Sequence, residues 1–397
     1  MDNSDIFISG GGVAGLTAAA AFGTAGFRVT IVEPTPPITD AQTDGADLRT
    51  TAFLQPAVQV LATAGLWASL AQHATPLQTM RIIDAGGDTV EPRMTRDFDA
   101  AEISDQPFGW NLPNWLLRRE MVARLAHLPN VDFRTGLGFA RMLSRTDHAI
   151  VTLTDGSRLT ARLVIAADGR ASAVRQAAGI TVRTMRYGQK ALTFAVTHPI
   201  PHGNVSTEIH RMGGPFTLVP LPDRDGLPCS AVVWMNTGPE VIRLQALADT
   251  VFEDEASIRS CHTMGPLTLA SRRITWPIVT QLAGHMTAER TALIAEAAHV
   301  LPPIGAQGLN MSLTDISTLL DLAQKAPGDL GSQTMLDDYH RARHGDITLR
   351  VTGIDALNRA SMAGSPMARD LRAAGLQALY AAPIVRKALM RTGLGVR

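Results

Sequence analysis

The chain has 397 residues, 45% of them apolar and 18% charged, enough to bury a large core in one complex domain or two interleaved ones. Lys+Arg and Asp+Glu are equal at 36 each, which argues against a nucleic-acid partner held by net charge. Cys229 and Cys261 are the only cysteines and form no C-x-x-C, which argues against a disulfide framework or a zinc site and fits a reduced, cytoplasmic setting.

Asp5-Ile6-Phe7-Ile8-Ser9 reads as a buried strand, followed at once by Gly10-Gly11-Gly12-Val13-Ala14-Gly15 and an Ala-rich helix from Leu16 to Ala25. A second strand, Arg28 to Val32, ends at Glu33. This is G-x-G-x-x-G between a strand and a helix, with an acid about 20 residues on. Gly10 permits the tight turn, Gly12 lets the backbone approach a pyrophosphate, and Gly15 lets helix and strand pack closely. The helix start offers N–H groups to phosphates, and Glu33 can accept hydrogen bonds from ribose hydroxyls. The motif alone does not separate NAD from FAD. Phe7 to Phe27 is uncharged and long enough to imitate a membrane span, but its glycine cluster and the acids Asp2 and Asp5 before it argue for a nucleotide-binding strand and helix.

Pro34-Thr35-Pro36-Pro37 must be extended or turning. Arg49 is then expected at the mouth of a helical pattern reaching Trp67, either as a cationic cofactor contact or as a solvated surface arginine. Met80–Asp84 and Thr89–Glu91 around Gly86-Gly87 predict a hairpin. Trp110 to Asn114 predicts a turn-rich approach to a helix from Trp115 to His127. Val131–Arg134 predicts a short strand, and Ala149–Leu153 with Arg158–Val164 a hairpin turning at Asp155-Gly156. The apolar strand through Ile165 ends in Asp168-Gly169 and runs into a helix bearing Ser172 and Arg175. An acid there sits where open α/β sheets bind ligands, although Asp-Gly is by itself a common turn.

From about Ala191 to Trp276 the pattern becomes β-rich, with strands expected at Thr193–Thr197, Thr207–His210, Phe216–Val219 and Ser230–Met235, and one helix, Gln245–Phe252, across them. Such an inserted antiparallel sheet can wall a substrate pocket. Thr291 to Ile294 predicts a strand leading to Ala295-Glu296-Ala297-Ala298-His299. The loop through Pro302 and Pro303 then reaches Gly308-Leu309-Asn310, which opens a helix to Leu322 with N–H groups aimed at an electron-rich ligand. His299 reads as a loop histidine bonded to backbone, or as a catalytic one. The chain ends in basic helices. Beyond Asp370 come Arg372, Arg386, Lys387, Arg391 and Arg397 among Leu376, Leu379, Ile384, Val385 and Leu389. They form either a surface for a membrane or partner, or a helix packed on the core.

Together these blocks resemble the flavoprotein aromatic hydroxylases of the p-hydroxybenzoate hydroxylase type, and among them the ubiquinone-biosynthesis hydroxylases. The resemblance rests on Gly10–Gly15, Arg49 in a D-x-R-T-x-A-like segment, Asp168-Gly169, and Ala298-His299…Pro303…Gln307-Gly308-Leu309-Asn310. It rests also on Gly214 to Leu221 with Val233-Trp234, and on Gly375-Leu376-Gln377-Ala378-Leu379. It implies an α/β fold in which an FAD-binding, Rossmann-like domain of the glutathione-reductase type (1–75, 105–180 and 275–340) carries an inserted antiparallel-sheet substrate domain (76–104 and 181–274). C-terminal helices (341–397) follow.

The cofactor implied is FAD, with NAD(P)H as a transient donor, no separate nicotinamide domain and no metal. Gly10, Gly12, Val13, Ala14 and Gly15 would meet the pyrophosphate, Glu33 the adenosine ribose, and Arg49 the phosphate or ribityl region. Asn114 would contact the flavin, and Asp168-Gly169 the pyrophosphate side and the nicotinamide donor. Glu296 would accept a ribityl hydrogen bond. Pro303, Gly308, Leu309 and Asn310 would line the isoalloxazine, with His299 and Pro303 as pocket candidates. The implied activity is NAD(P)H- and O2-dependent hydroxylation of a polyprenylated phenol by a protein in the cytoplasm or peripheral on the inner membrane, in contact with a quinone-biosynthesis complex. The alternatives are a hydroxylase of a soluble aromatic and a flavin-fold scaffold without turnover. The sequence departs from the family at Ala295-Glu296, where the family has Gly-Asp, at Ala306, where it has Gly, and at Trp115, where many members carry a polar or basic residue.

Overall fold

In a computed structural model the described residues are 2–86, 91–211, 213–362, 375, 377 and 380–394. Asp370, Arg372, Leu376, Ala378, Leu379 and Arg397 of the C-terminal readings, and Gly87, Thr89 and Val90 of the expected hairpin, lie outside them.

The chain opens with β1 (Asp2–Ser9), α1 (Val13–Thr24) and β2 (Val29–Glu33). α1 carries no charge and is buried from Ala14 to Gly23, as a helix apolar on every side must be. Each fully covered Leu16 or Phe22 contributes about 1.5–3 kcal/mol of transfer free energy. Arg49 does not stand at a helix mouth. It precedes β3 (Thr50–Leu54), and the helix begins only at α2 (Gln55–Thr63), where Pro56 sits in the first turn. Then follow α3 (Trp67–Leu70), β4 (Thr75–Leu77), β5 (Thr79–Asp84) and β6 (Met94–Asp99). The return strand of the hairpin is thus Met94–Asp99, later than expected. Trp110–Pro113 is no turn either: β7 (Gly109–Pro113) is the centre of a three-stranded sheet between β3 and β4, and α4 (Asn114–Ala126) starts directly after it.

β8 (Val131–Thr135), β9 (Phe139–Ser144), β10 (Ala149–Leu153) and β11 (Arg158–Ala166) follow, and the Asp155-Gly156 turn joins β10 to β11 as an antiparallel pair. α5 (Ala173–Ala177) leads to β12 (Val182–Thr197), β13 (Val205–Arg211), β14 (Gly214–Arg224) and β15 (Leu227–Thr237). Two helices, α6 (Gly238–Ala246) and α7 (Asp249–Arg259), replace the single expected one, because the backbone is extended at Leu247 and Ala248 between them. Phe252 of α7 closes this core against Phe194, with ring centroids 4.9 Å apart.

β16 (Thr268–Leu269), β17 (Ile274–Ala283), β18 (Thr287–Ala288), β19 (Thr291–Leu293) and β20 (His299–Val300) complete the strands. α8 (Gln307–Lys325), α9 (Gln333–Met362) and a C-terminal helix (Pro383–Leu394) complete the helices.

One sheet runs β18-β19-β11-β1-β2-β8, parallel from β19 to β8, with β10 and β9 continuing from β11. The other runs β20-β17-β12-β15-β14-β13-β5-β6 and is antiparallel except where β13 meets β5. This is the mixed α/β architecture expected, a Rossmann-like sheet joined to an antiparallel one with helices at the C-terminal end. α9 buries Leu336, Tyr339, Arg343, Ile347, Val351 and Ile354 along one stripe. It is tied to the second sheet by Tyr187 Oη, which donates to Asp355 at 2.6 Å, and by Asn358 Nδ2, which donates to Gln189 at 3.0 Å.

Candidate functional site

The C-terminal ends of β1 and β11 and the inner face of the antiparallel sheet enclose one cavity of about 1550 Å³. That exceeds the roughly 300–1,000 Å³ of a site for one small ligand. Ser9, Gly10, Gly12, Val13, Ala14, Glu33, Asp168 and Gly169 line its first end, while Met80, Ile82, Val219, Val233 and Ile278 line the sheet face.

Gly10 adopts φ +110° where the chain leaves β1, and a side chain there would collide with the Ala167 carbonyl. Only glycine fits. Gly15 faces inward onto the Gly10 carbonyl and does not line the cavity. Gly12 caps α1 without a side-chain acceptor, and a Cβ on it would meet nothing within 4 Å. The first N–H groups of α1 therefore open into the cavity with no protein side chain capping them.

Glu33 Oε2 accepts from Gly11 N at 2.6 Å, which fixes the carboxylate at the end of β2. Asp168 Oδ2 accepts from Val174 N at 3.1 Å, while its Oδ1 is buried with no partner among the described residues. Arg175, buried behind it, donates to the carbonyls of Arg170 and Ala297, both at 2.9 Å, and so locks the Asp168 loop to the Ala297 turn. Burial holds its pKa below the ordinary arginine value, outweighing the opposing pull of the Asp168 carboxylate.

Arg49 is a fixed cation, not a solvated one. Its Nε and Nη2 donate to the two oxygens of Asp47 at 2.8 and 2.7 Å, and its guanidinium lies 4.1 Å from the Trp276 ring centroid. Asn114 donates to Asp47 at 3.1 Å and accepts from Thr51 at 2.8 Å, and Arg118 stands 3.5 Å from the same carboxylate. Burial pushes the Asp47 carboxyl up, but Arg49, Asn114 and Arg118 outweigh it and hold it below the usual range. Asp47 was legible in the segment with Arg49, yet its role as the hub was not.

Glu296 is exposed on the cavity wall in the turn that follows β19, and Ala295 before it is forced to φ +54°. Its neighbour His299 is neither on a loop nor bonded to backbone. It lies on β20, 2% exposed, with Nε2 2.7 Å from Asp315 Oδ2. Asp315 is fully buried on α8. It accepts from Arg343 Nε at 2.8 Å and from Ala295 N at 3.2 Å. Burial pushes this carboxyl up, but His299 and Arg343 outweigh it and hold it below the ordinary value. His299 Nδ1, at the cavity wall, has no partner among the described residues. Asp315 and Arg343 had one sequence signal: Asp315 falls on the apolar stripe Met311, Ile316, Leu319 of an amphipathic helix, where a lone acid must be paired.

Pro303, Gly308 and Leu309 line the cavity where α8 begins, and α8, like α1, has no side-chain cap and no acid in its first turn. Asn310 does not line it. Its Nδ2 donates to the carbonyls of Ala52 and Ala306 at 2.8 and 2.6 Å, and its Oδ1 accepts from Leu54 N at 2.8 Å, so it stitches α8 to β3.

Two uncapped helix N-termini with open glycines, an orphaned carboxylate oxygen and an acid at the end of β2 suit a dinucleotide that carries an electron-rich ring system. The chain matches the FAD-binding-domain family over residues 3–351 and belongs to it. It is 30% identical to the ubiquinone hydroxylase UbiL of Rhodospirillum rubrum, across 99% of this chain and 90% of that one. It is 26% identical to the 3-demethoxyubiquinol 3-hydroxylase of Escherichia coli, across 99% of both. Among solved structures, p-nitrophenol 4-monooxygenase PnpA of Pseudomonas putida superposes with a TM-score of 0.79 over 100% of both chains at 19% identity. PqsL of P. aeruginosa, in complex with 2-aminobenzoylacetate, gives 0.78 over 92% of this chain and 99% of that one at 22% identity. The cofactor is accordingly FAD, and the protein is an FAD-dependent monooxygenase related to the ubiquinone-biosynthesis hydroxylases.

Proposed function

We propose that the protein hydroxylates the aromatic ring of a polyprenylated quinone precursor, with NAD(P)H as electron donor and O2 as oxidant. The observation that carries this is the cavity itself. It continues past the nucleotide end along the apolar sheet face and on to Leu357, Leu389 and Met390 of the C-terminal helices, a path suited to a hydrocarbon tail.

When bound, FAD supplies hydride acceptance and the activation of oxygen. The chain's own residues bind, orient and keep water out. In this reading the Gly10–Ala14 turn and the start of α1 take the diphosphate, Glu33 takes the adenosine ribose, and Asp168-Gly169 take the diphosphate side and meet the nicotinamide. Arg49, fixed by Asp47 and Trp276, lies against the phosphate or ribityl region, with Glu296 beside the ribityl chain. Asn114 acts through Asp47, since both ends of its amide are already engaged. Pro303, Gly308 and Leu309 flank the ring system, and Asn310 sets the position of α8. The His299–Asp315–Arg343 chain holds the Ala295-Glu296 turn. Met80, Ile82 and Val219 exclude water from the substrate side.

Holoenzyme assayed with 2-geranylphenol and with phenol separates the readings. Coupled hydroxylation of the prenylated compound alone supports this one, and equal or better turnover of phenol assigns the protein to soluble aromatics.

No helix among the described residues is long and apolar enough to cross a membrane. We propose peripheral contact with an anionic lipid surface through the C-terminal helix. It exposes Ile384, Val385 and Leu389, carries Lys387 and Arg391, and has no acid. Arg386 takes no part, because it pairs inward with Glu102 at 2.6 Å. Co-flotation with phosphatidylglycerol vesicles, lost in the I384S/L389S variant, is expected. Flotation unchanged by those substitutions, or none at all, overturns the assignment and leaves a partner protein as the occupant.

A further inference from the structure

The sheet face of the cavity is mostly apolar or hydroxyl-bearing, and its charged side chains are Glu208 and His210 on β13 and Asp84 opposite His210 on β5. Along β13 the side chains alternate: Thr207 and Ile209 are fully buried on the far side, whereas Ser206, Glu208 and His210 line the cavity. The cross-strand row through Glu208 reads Ile82, Glu208, Thr217, Val233, Thr193, and Glu208 is its only charge. His210 Nε2 lies 2.8 Å from Glu208 Oε1, and the two side chains are 18% and 16% exposed. Among the described residues no lysine or arginine pairs with Glu208. On the neighbouring strand Asp84 stands opposite His210 in the register, with Arg93 from the segment before β6 at 4.0 Å, and Arg81, opposite Thr207, pairs with Asp97 at 2.7 Å.

A carboxylate in an apolar cavity costs desolvation free energy, and a pairing that contributes to the fold would offset it. This pairing does not. Glu208 and His210 are two residues apart on one strand, so their contact joins no second element and adds nothing to hold the sheet. An ionised carboxylate only accepts hydrogen bonds, so its complement on a ligand is a donor. On an electron-rich ring that donor is a phenolic hydroxyl.

We propose that Glu208, oriented by His210, anchors the substrate ring: its carboxylate accepts the hydrogen bond of a ring hydroxyl and thereby selects phenols over their ethers. The inference rests on the hydroxylase reading above. The hydrogen bond fixes which ring carbon faces the flavin and draws electron density from the O–H bond into the ring. No proton need leave the substrate for either effect. A site built to hydrogen-bond a hydroxyl rejects the analogue that lacks the donor strongly, by factors of about 10⁴ in favourable cases.

The test uses the FAD-loaded protein with 2-geranylphenol and its methyl ether. Two quantities are measured for wild type, E208Q, E208D and H210Q: binding to the oxidised protein, read from the flavin absorbance without NAD(P)H, and kcat/KM. Wild type is expected to bind the phenol at least about 10-fold more tightly than the ether, the scale of one charge-assisted hydrogen bond. E208Q should cut that preference several-fold, because its amide oxygen accepts without charge and its NH2 can donate to the ether oxygen; E208D should retain part of it, and H210Q should weaken it. If E208Q fails to load FAD, E208D and H210Q decide by the same ratio. A phenol-to-ether ratio that stays within about twofold of wild type in the variants overturns the anchor, and turnover of the phenol would still stand. If the phenol preference depends on Glu208 but no hydroxylated product forms, the anchor holds and the hydroxylase reading falls. Tighter binding of a geranyl-substituted aniline than of the phenol would also overturn it.

Discussion

Replacing Asp315 with asparagine should destabilise the protein without changing its shape. The carboxylate is fully buried and serves three donors: Arg343 Nε at 2.8 Å, His299 Nε2 at 2.7 Å and Ala295 N at 3.2 Å. Removing one partner of a buried pair costs about 3–5 kcal/mol, because the remaining charge is left uncompensated. Two features move D315N toward the lower end. Arg343 keeps Asp346 at 2.8 Å, and the asparagine carbonyl still accepts from one donor. With the carbonyl kept toward Arg343, its NH2 group, however, then faces both Ala295 N and His299 Nε2. The expected loss is about 3 kcal/mol in urea unfolding.

The same residue sets a pH dependence. Because its folded pKa is depressed, Asp315 contributes stability above its unfolded value, about 3.9, and that contribution is lost as pH falls through the lower folded value. The gap between wild type and D315N should therefore be full near neutrality and shrink below about pH 4. A D315N protein within about 0.5 kcal/mol of wild type, or a gap that does not change with pH, refutes this account of the buried chain.

Ala295→Gly should stabilise the fold by about 0.5–1 kcal/mol, since relief of the φ +54° conformation outweighs the entropy glycine adds to the unfolded chain; a destabilised variant in chemical denaturation would sink the strain argument. Glu296→Asp should tighten FAD binding several-fold, because Glu296 lies on the cavity wall where the resemblance places a shorter acid; flavin fluorescence titration showing weaker or unchanged binding would remove Glu296 from the ribityl contact.

What was legible in the sequence was local. Gly10 to Gly15 and Glu33 sit within one strand–helix–strand unit, so spacing alone revealed them. Local pattern puts Arg49 at a helix because the partner of the strand that follows it, Gly109–Pro113, is some sixty residues away and contains the turn-like residues Asn111 and Pro113. The strand Met94–Asp99 carries no sequence signal, because Thr95, Arg96, Asp97 and Asp99 give an edge strand with no apolar alternation. The His299–Asp315–Arg343 chain and the Asp47 hub join segments distant in sequence, and no periodicity reports such meetings. Glu208 and His210 show in the sequence only as part of a strand; their shared face gains meaning from the cavity on that side of it.

The most direct measurement of the central claim is mass spectrometry of the product formed by holoenzyme, NAD(P)H and 2-geranylphenol under isotopically heavy O2. Ring hydroxylation is expected to give a product carrying one heavy oxygen atom for each NAD(P)H consumed. NAD(P)H oxidation that yields only hydrogen peroxide, with the phenol recovered unlabelled, would contradict it.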